Sequence, residues 1–355
     1  MFWAQNCRER NYVEEANLST RQRRKCALTI LKIVISLILL VWLLHRIGID
    51  HILYQLKSAR WQWLVVAFLV FSTSNFLGAL QWYFLLRSQH VKFSFLHVLS
   101  YYHVGLFFNN FLIGYVGGDA LRIYDVARKS GDSTIAVSSV VFDRFIGFFT
   151  LTSMAMGVSF FQIHKLASYG TVYFIGVILA LWVATFFLLL HENAGKTFGR
   201  LFKPLLPHIV VQKVHDIYMA INQFRHQRFI LLQIIGISIV VQALRIVTHY
   251  CTALAVGVQA HVLFFFMFIP IVALFASLPI SFGGIGVREQ SGVTLFSTVG
   301  LAASRVVTFE FLAYIIGVVA TLPGGIIFAL RGNVNVKKPT AAQHASIQQG
   351  GASHE

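Results

Sequence analysis

The amino-acid sequence predicts an all-α fold, a polytopic transmembrane helical bundle of about 6–8 spans with two re-entrant or broken segments. Three observations predict it. First, 57% of the residues are hydrophobic and 12% are charged, against about a quarter charged in a soluble domain. That leaves too little polar surface to solvate a globule. Second, Leu, Ile, Val and Phe come in runs of about 20 residues, the length a helix needs to cross hydrocarbon. These runs are too long and uniform for barrel strands, and a spanning chain must satisfy its own backbone hydrogen bonds. Third, two of the runs are interrupted by glycine pairs, Gly117-Gly118 and Gly283-Gly284, each followed by charged residues.

The elements follow in order. Residues 1–25 form a polar N-terminal segment whose Arg21, Arg23, Arg24 and Lys25 precede the first apolar run, which predicts a cytoplasmic N-terminus. The first span covers 26–45. It is too long for a signal peptide and is followed by no small-residue cleavage site, so it reads as an uncleaved anchor. Trp61 and Trp63 sit where an interfacial aromatic belt belongs, ahead of a span at 62–86 that ends at Arg87 and Lys92. The stretch 93–113 is apolar but broken by polar residues. Residues 114–132, GYVGGDALRIYDVARKSGD, are polar and glycine-rich. Apolar segments follow at 133–163 and 169–191. The stretch 192–228 holds the densest basic loop, placed in the cytoplasm, and within it Val210, Val214, Ile217, Tyr218, Ile221 and Phe224 recur at the spacing of a surface amphipathic helix. Spans at 229–257 and 262–281, the break SFGGIGVREQ at 281–290, a short piece at 291–303 and a last span at 306–330 complete the membrane part, 26–331. Residues 332–355 are rich in Ala, Gln, Ser and Gly and read as a disordered cytoplasmic tail.

Parity points to the broken segments. Residues 87 and 192 both read as cytoplasmic, yet three apolar segments lie between them, so one must enter and leave on the same side. The interrupted stretch 93–113 is the candidate. In the second half, the piece at 291–303 is too short to span, and a broken arrangement is again expected. Paired glycine-interrupted segments in two halves mark a transporter-type site near mid-membrane. The halves share little at the residue level, so an internal inverted repeat and a chance pairing both stay open.

Composition also excludes classes. The net charge of +16 lies between apolar runs, where it orients the chain and meets anionic lipid, and no soluble basic domain is present to hold nucleic acid. Cys7, Cys26 and Cys251 show no metal-ligand spacing. No Walker A, HExxH, GxSxG or CxxC pattern occurs, so ATP hydrolysis, zinc proteolysis and serine hydrolysis lack support. No catalytic set, metal or cofactor is expected.

The breaks themselves have chemistry. Glycine bends the backbone and bares amide groups, a helix that starts there attracts anions, Asp119 is placed to cap it, and Arg122 lies one turn on. GGDALR and GGIGVRE together then hold an anionic lipid headgroup. The bland reading is of two loop turns whose arginines meet lipid phosphates at the interface. Asp143-Arg144 and Arg288-Glu289 lie in or beside apolar segments, where ionisable groups pair or serve a function; a structural salt bridge is the alternative. Arg245 and His249, one turn apart in a span, either line a polar path or make a structural hydrogen bond. His103 reads as a satisfied interior histidine.

The run NNFLIGYVGGDALRIYDVARKSGDSTIAVSSVVFDRFIGF, residues 109–148, with LPISFGGIGVREQSGVTLFSTVGL, residues 278–301, resembles the two signatures of the flippase-like family. This is the transmembrane domain of lysylphosphatidylglycerol synthases, also called UPF0104. The resemblance covers residues 25–332. It implies an integral membrane protein that handles or translocates a phospholipid or lipid-linked substrate; the basic clusters at 21–25 and 331–338 predict a multi-pass inner (plasma) membrane protein with both termini cytoplasmic. It carries the family's polar positions to Asn110, Gly117, Gly118, Asp119, Arg122, Asp143, Arg144, Gly284, Gly286, Arg288 and Glu289. Many members have proline where Ile113 stands. Full-length synthases add a soluble aminoacyl-transfer domain, and this chain runs only about 25 residues past its last span, so lipid aminoacylation is not expected of it. Two other functions stay open: an accessory subunit partnering a lipid-synthesis enzyme, as monomer or homo-oligomer, and a lipid-modifying enzyme using Asp119, Asp143 or Glu289 as acid or base.

Overall fold

A computed structural model describes residues 59–111, 117–166, 173, 176–184, 218–219, 227–278 and 284–331. By contact the chain divides into two compact units. One joins Met1–Leu37 to Phe328–Glu355, and its described part is the end of the last helix. The other, Ile38–Ile327, holds everything else below. The expected first span at 26–45, the polar segment 1–25 and the tail 332–355 lie outside the described residues. So do Ile113 and nearly all of the expected amphipathic helix at 210–224, of which Tyr218 and Met219 are helical.

The described residues are helical, with no strand among them. Four helices are long and apolar enough to cross a membrane: α1 (Trp61–Ser88), α4 (Ser133–Leu166), α5 (Arg228–Ala255) and α8 (Ala303–Leu330). Between them lie two pairs of short helices, α2 (Phe95–Asn109) with α3 (Gly117–Ser130), and α6 (Val262–Ser277) with α7 (Val287–Phe296). A 3-10 turn, Ser297–Val299, extends α7. The glycine-rich stretch thus becomes a helix, α3, from Gly117 onward.

The long helices are inside-out amphipaths. On α1 the buried stripe is Ser74, Asn75, Gly78, Gln81, Trp82 and Leu85, while Val65, Val66, Leu69 and Phe76 are exposed. In lipid the apolar face is the outer one, and small or polar residues sit between helices where backbones approach and partners are at hand.

Each short pair is an antiparallel hairpin. In the first, Asn109 at the end of α2 meets Gly118 at the start of α3, and the Lys129 amine lies over the Phe93 ring at 5.2 Å near the base. In the second, Gly284 lies against Ala276, and Phe296 packs at a tilt on Phe265 and edge-on against Phe268, with ring centres 5.0 and 5.1 Å apart. The 15 residues of α2 rise about 22 Å and the 16 of α6 about 24 Å, short of the roughly 30 Å core. These are the two broken segments expected from the glycine pairs.

The order long, short, short, long therefore occurs twice, as α1–α4 and α5–α8. The copies are inverted. Arg60 N before α1 donates to Ala255 O at the end of α5 (2.8 Å), and Gln227 Nε2 before α5 donates to Ser88 O at the end of α1 (3.0 Å), so α1 and α5 run antiparallel. The base of the first hairpin packs with the end of α1 and the start of α4, where Gln89 Nε2 donates to Ser138 Oγ at 3.1 Å. The base of the second packs with the end of α5 and the start of α8, through Tyr250, Phe265, Phe296 and Phe309. The hairpins enter from opposite ends and their tips approach each other in the middle.

Candidate functional site

The first tip is built by contact too close for side chains. A Cβ on Gly118 would stand 1.9 Å from the Gly105 carbonyl oxygen. Glycine at both positions lets α2 and α3 touch backbone to backbone. Gly118 N donates to Asn109 Oδ1 at 2.9 Å, so the start of α3 is capped from the preceding helix and not by Asp119. On the far side, a Cβ on Gly324 of α8 would meet the His103 carbonyl oxygen at 2.0 Å. Asn110 Nδ2 donates to Thr321 Oγ1 at 2.8 Å, which ties the tip to α8.

Asp119 faces inward instead, into an ion-pair cluster. Arg122 Nη1 meets Asp119 Oδ1 at 3.3 Å, Arg122 Nη2 meets Asp143 Oδ2 at 2.8 Å, and Arg144 Nε meets Asp119 Oδ2 at 2.5 Å. Gln81 Nε2 of α1 donates to Asp143 Oδ1 at 2.9 Å. The Arg122 guanidinium is also sandwiched, 4.1 Å from the Trp82 ring centre and 4.7 Å from that of Tyr102. It is 4% exposed. Two carboxylates and two aromatic faces compensate its charge, while its buried Nε has no hydrogen-bond partner. Arg122 thus serves to fasten α3 to α4 and α1. Arg144 keeps 31% of its side chain exposed.

The second tip is looser. Gly284 and Gly286 have φ of +75° and +85°, a region that favours glycine. Gly286 N donates to Glu289 Oε2 at 2.6 Å, so α7 is capped by its own third residue. Both helix starts are therefore occupied by protein oxygen. The Arg288 guanidinium stands 5.5 Å from the Tyr314 ring centre, and Tyr314 Oη donates to Asn110 O at 3.4 Å. Tyr314 of α8 thereby connects the two tips.

The tips close over a cavity of about 260 Å³. Asn110, Asp119, Arg122, Asp143, Arg144 and Arg288 line it. Gly117, Gly118, Gly284, Gly286 and Glu289 do not; they set the backbone that brings the others there. The described lining also includes Asn75, Gln81, Tyr102, Arg245, His249, Tyr314 and Thr321. The described lining holds four arginines and two aspartates. Arg245 Nη2 donates to Tyr102 Oη at 3.4 Å. That hydroxyl fits only because residue 78 is glycine, where a Cβ would meet it at 2.3 Å. Asn75 is wholly buried, and neither its amide nitrogen nor its amide oxygen has a hydrogen-bond partner. An unpaired buried amide costs about 1–3 kcal/mol, and Asn75 carries that cost beside the cavity. Among the described residues no group of three or more His, Cys, Asp or Glu side chains converges on a metal position.

Inverted repeats of membrane helices with discontinuous hairpins meeting at a central charged cavity define an integral membrane protein. The chain belongs to the lysylphosphatidylglycerol synthase TM region family, whose model matches residues 29–327. A UPF0104 membrane protein of Pyrococcus horikoshii is 22% identical over 330 residues, which is 86% of this chain and 96% of that protein. No solved structure gives a significant match.

Proposed function

We propose that the protein binds a phospholipid or lipid-linked anionic substrate by its headgroup in the cavity between the hairpin tips, and carries it across the membrane. The observation that supports this most is the meeting of both tips at one cavity whose described lining holds four arginines and two aspartates. Arg144, Arg245 and Arg288 supply the positive face. An anion in a low-dielectric cavity is stabilised by such cations far more than it would be in water, and Asn75 adds a neutral donor. Arg122, Asp119 and Asp143 hold the frame that positions them. Asn110, Gly117, Gly118, Gly284, Gly286 and Glu289 contribute by shaping and fastening the tips. The inward polar stripe of α1, with apolar residues facing outward, suits a headgroup inside and acyl chains in the bilayer. We place the protein in the inner (plasma) membrane with both termini cytoplasmic, as the basic clusters at 21–25 and 192–228 favour.

Binding of a fluorescent phosphatidylglycerol by the purified full chain in detergent tests the reading, with phosphatidylcholine as the zwitterionic control. Preference for the anionic lipid is expected. Arg288→Ala and Arg245→Gln should each weaken it by about 10–100-fold, the loss of one charge-assisted contact. Equal binding of both lipids, unchanged in the variants, would overturn it.

A further inference from the structure

The two repeats carry one carboxylate each at corresponding places on their last helices. In the first, Asp143 of α4 meets Gln81 of α1 and Arg122 of the hairpin. In the second, Glu310 of α8 meets His249 of α5, with Nδ1 and Oε2 3.2 Å apart. The hairpin offers Glu310 no cation. It presents Gly292, where even a Cβ would reach Glu310 Cγ at 3.4 Å. Glu310 is wholly buried against Phe309 and Val306, and neither of its oxygens, nor His249 Nδ1, is aligned for a hydrogen bond.

A carboxylate in a dry apolar site without a fixed cation is neutralised by a proton. Asp143 has its guanidinium; Glu310 has only an imidazole, which can be charged or neutral. His249 is also the group through which the site meets the cavity, since it lies on the cavity wall with 17% of its side chain exposed. The other ionisable groups around that cavity are Arg245 on α5, Arg288 on α7, Tyr314 on α8, Asp143 and Arg144 on α4, Asp119 and Arg122 on α3, and Tyr102 on α2. The cavity-lining residues of α1 and α6 include none. An anion held in the cavity lies beside the imidazole, where opposite charges attract.

Resting on the lipid reading above, we propose that His249 and Glu310 form a proton-binding site coupled to the headgroup. With the cavity empty the pair holds one proton, shared between Nδ1 and Oε2, and is neutral. When a singly anionic headgroup enters, a second proton arrives from water through the cavity. The carboxyl and the imidazole are then both protonated, and the added anion and proton cancel in charge. No bond other than to hydrogen changes. The protein thereby moves an anionic lipid together with a proton, and an inward-acid proton gradient can drive it.

Binding of fluorescent phosphatidylglycerol to the full chain between about pH 5 and about pH 8.5 tests this, with proton uptake read by a pH dye in weak buffer. Linkage is reciprocal, so coupled uptake of one proton makes wild-type affinity rise as pH falls, by at most about tenfold per pH unit. Lipid addition should lower the free proton concentration. Glu310→Gln and His249→Gln should flatten the pH dependence and abolish uptake. Lipid binding by the wild type with no proton uptake overturns the coupling and leaves the lipid reading standing, whether or not the variants fold. Uptake that persists in folded Glu310→Gln also overturns the assignment. Absence of anionic-lipid binding at every pH overturns the lipid reading itself, and the coupling with it.

Discussion

The two hairpins reach the cavity from opposite ends of the bundle, and different chemistry holds them there. The first is clamped. Gly105, Gly118 and Gly324 let backbones touch, and Arg122 binds two carboxylates on two elements. The second has open space around Gly286, a cap that it makes for itself, and an arginine 5.5 Å from the Tyr314 ring centre. Equivalent positions in an inverted repeat have thus been given unequal rigidity. If the protein carries a lipid as proposed, one part must stay while another yields, and the looser second hairpin with α7 is the candidate to yield.

The comparison breaks most readily at glycine. Gly118→Ala puts a Cβ into the Gly105 carbonyl, a backbone atom that cannot rotate away. We expect a loss beyond about 3 kcal/mol, seen as failure to yield a monodisperse peak in detergent. Gly286→Ala meets nothing within 4 Å and carries only the left-handed backbone penalty, about 1–2 kcal/mol, so it should still fold. If Gly286→Ala is the more damaging of the two, the assignment of clamped and yielding halves is reversed.

The charges give the next effect. Asp143→Asn leaves the buried Arg122 short of one carboxylate, which should cost about 3–5 kcal/mol in a thermal unfolding assay. Arg288→Ala should cost less there than Asp143→Asn, because it leaves the Arg122 cluster intact, and its main effect should appear in lipid binding. Asn75→Leu separates function from stability more sharply. Removing an unpaired buried amide should be neutral or raise stability by about 1 kcal/mol, while anionic-lipid affinity falls. The smallest effect is expected of Glu289→Ala. It removes the cap on Gly286 N and should lower stability by about 1 kcal/mol, with more frequent opening at α7 seen as faster amide hydrogen exchange there.

Much of this was legible in the residues. Glycine pairs inside apolar runs, followed within one turn by Asp119 with Arg122 or by Arg288 with Glu289, locate both hairpin tips, because a short polar break in hydrocarbon has few other uses. Parity of the basic loops singles out 93–113 as the segment that turns back, and α2 is too short to span. Other features were not legible. Gly105 and Gly324 look like any glycine in a membrane helix until the neighbouring backbone is in place. Asn109, one residue before the expected site residue, proves to cap α3, a role set by how α2 meets α3 and not by sequence distance. Arg122 reads as a ligand-gripping group, but nothing in the sequence tells that Asp143, 21 positions on, is its partner. Glu310 is the clearest omission. A single carboxylate in the apolar run at 306–330 is itself a signal, and its partner His249 stands one turn from Arg245. The inverted repeat shows in the order of element lengths, which survives where residue identity between the halves does not.

The role of the cavity as a headgroup path is tested most directly by reconstituting the full chain in vesicles and following transfer of labelled phosphatidylglycerol between leaflets. Transfer faster than in protein-free vesicles is expected, slowed at least about tenfold by Arg288→Ala or Arg245→Gln with the protein still folded. Transfer at the protein-free rate, or a wild-type rate that both variants retain, would contradict it.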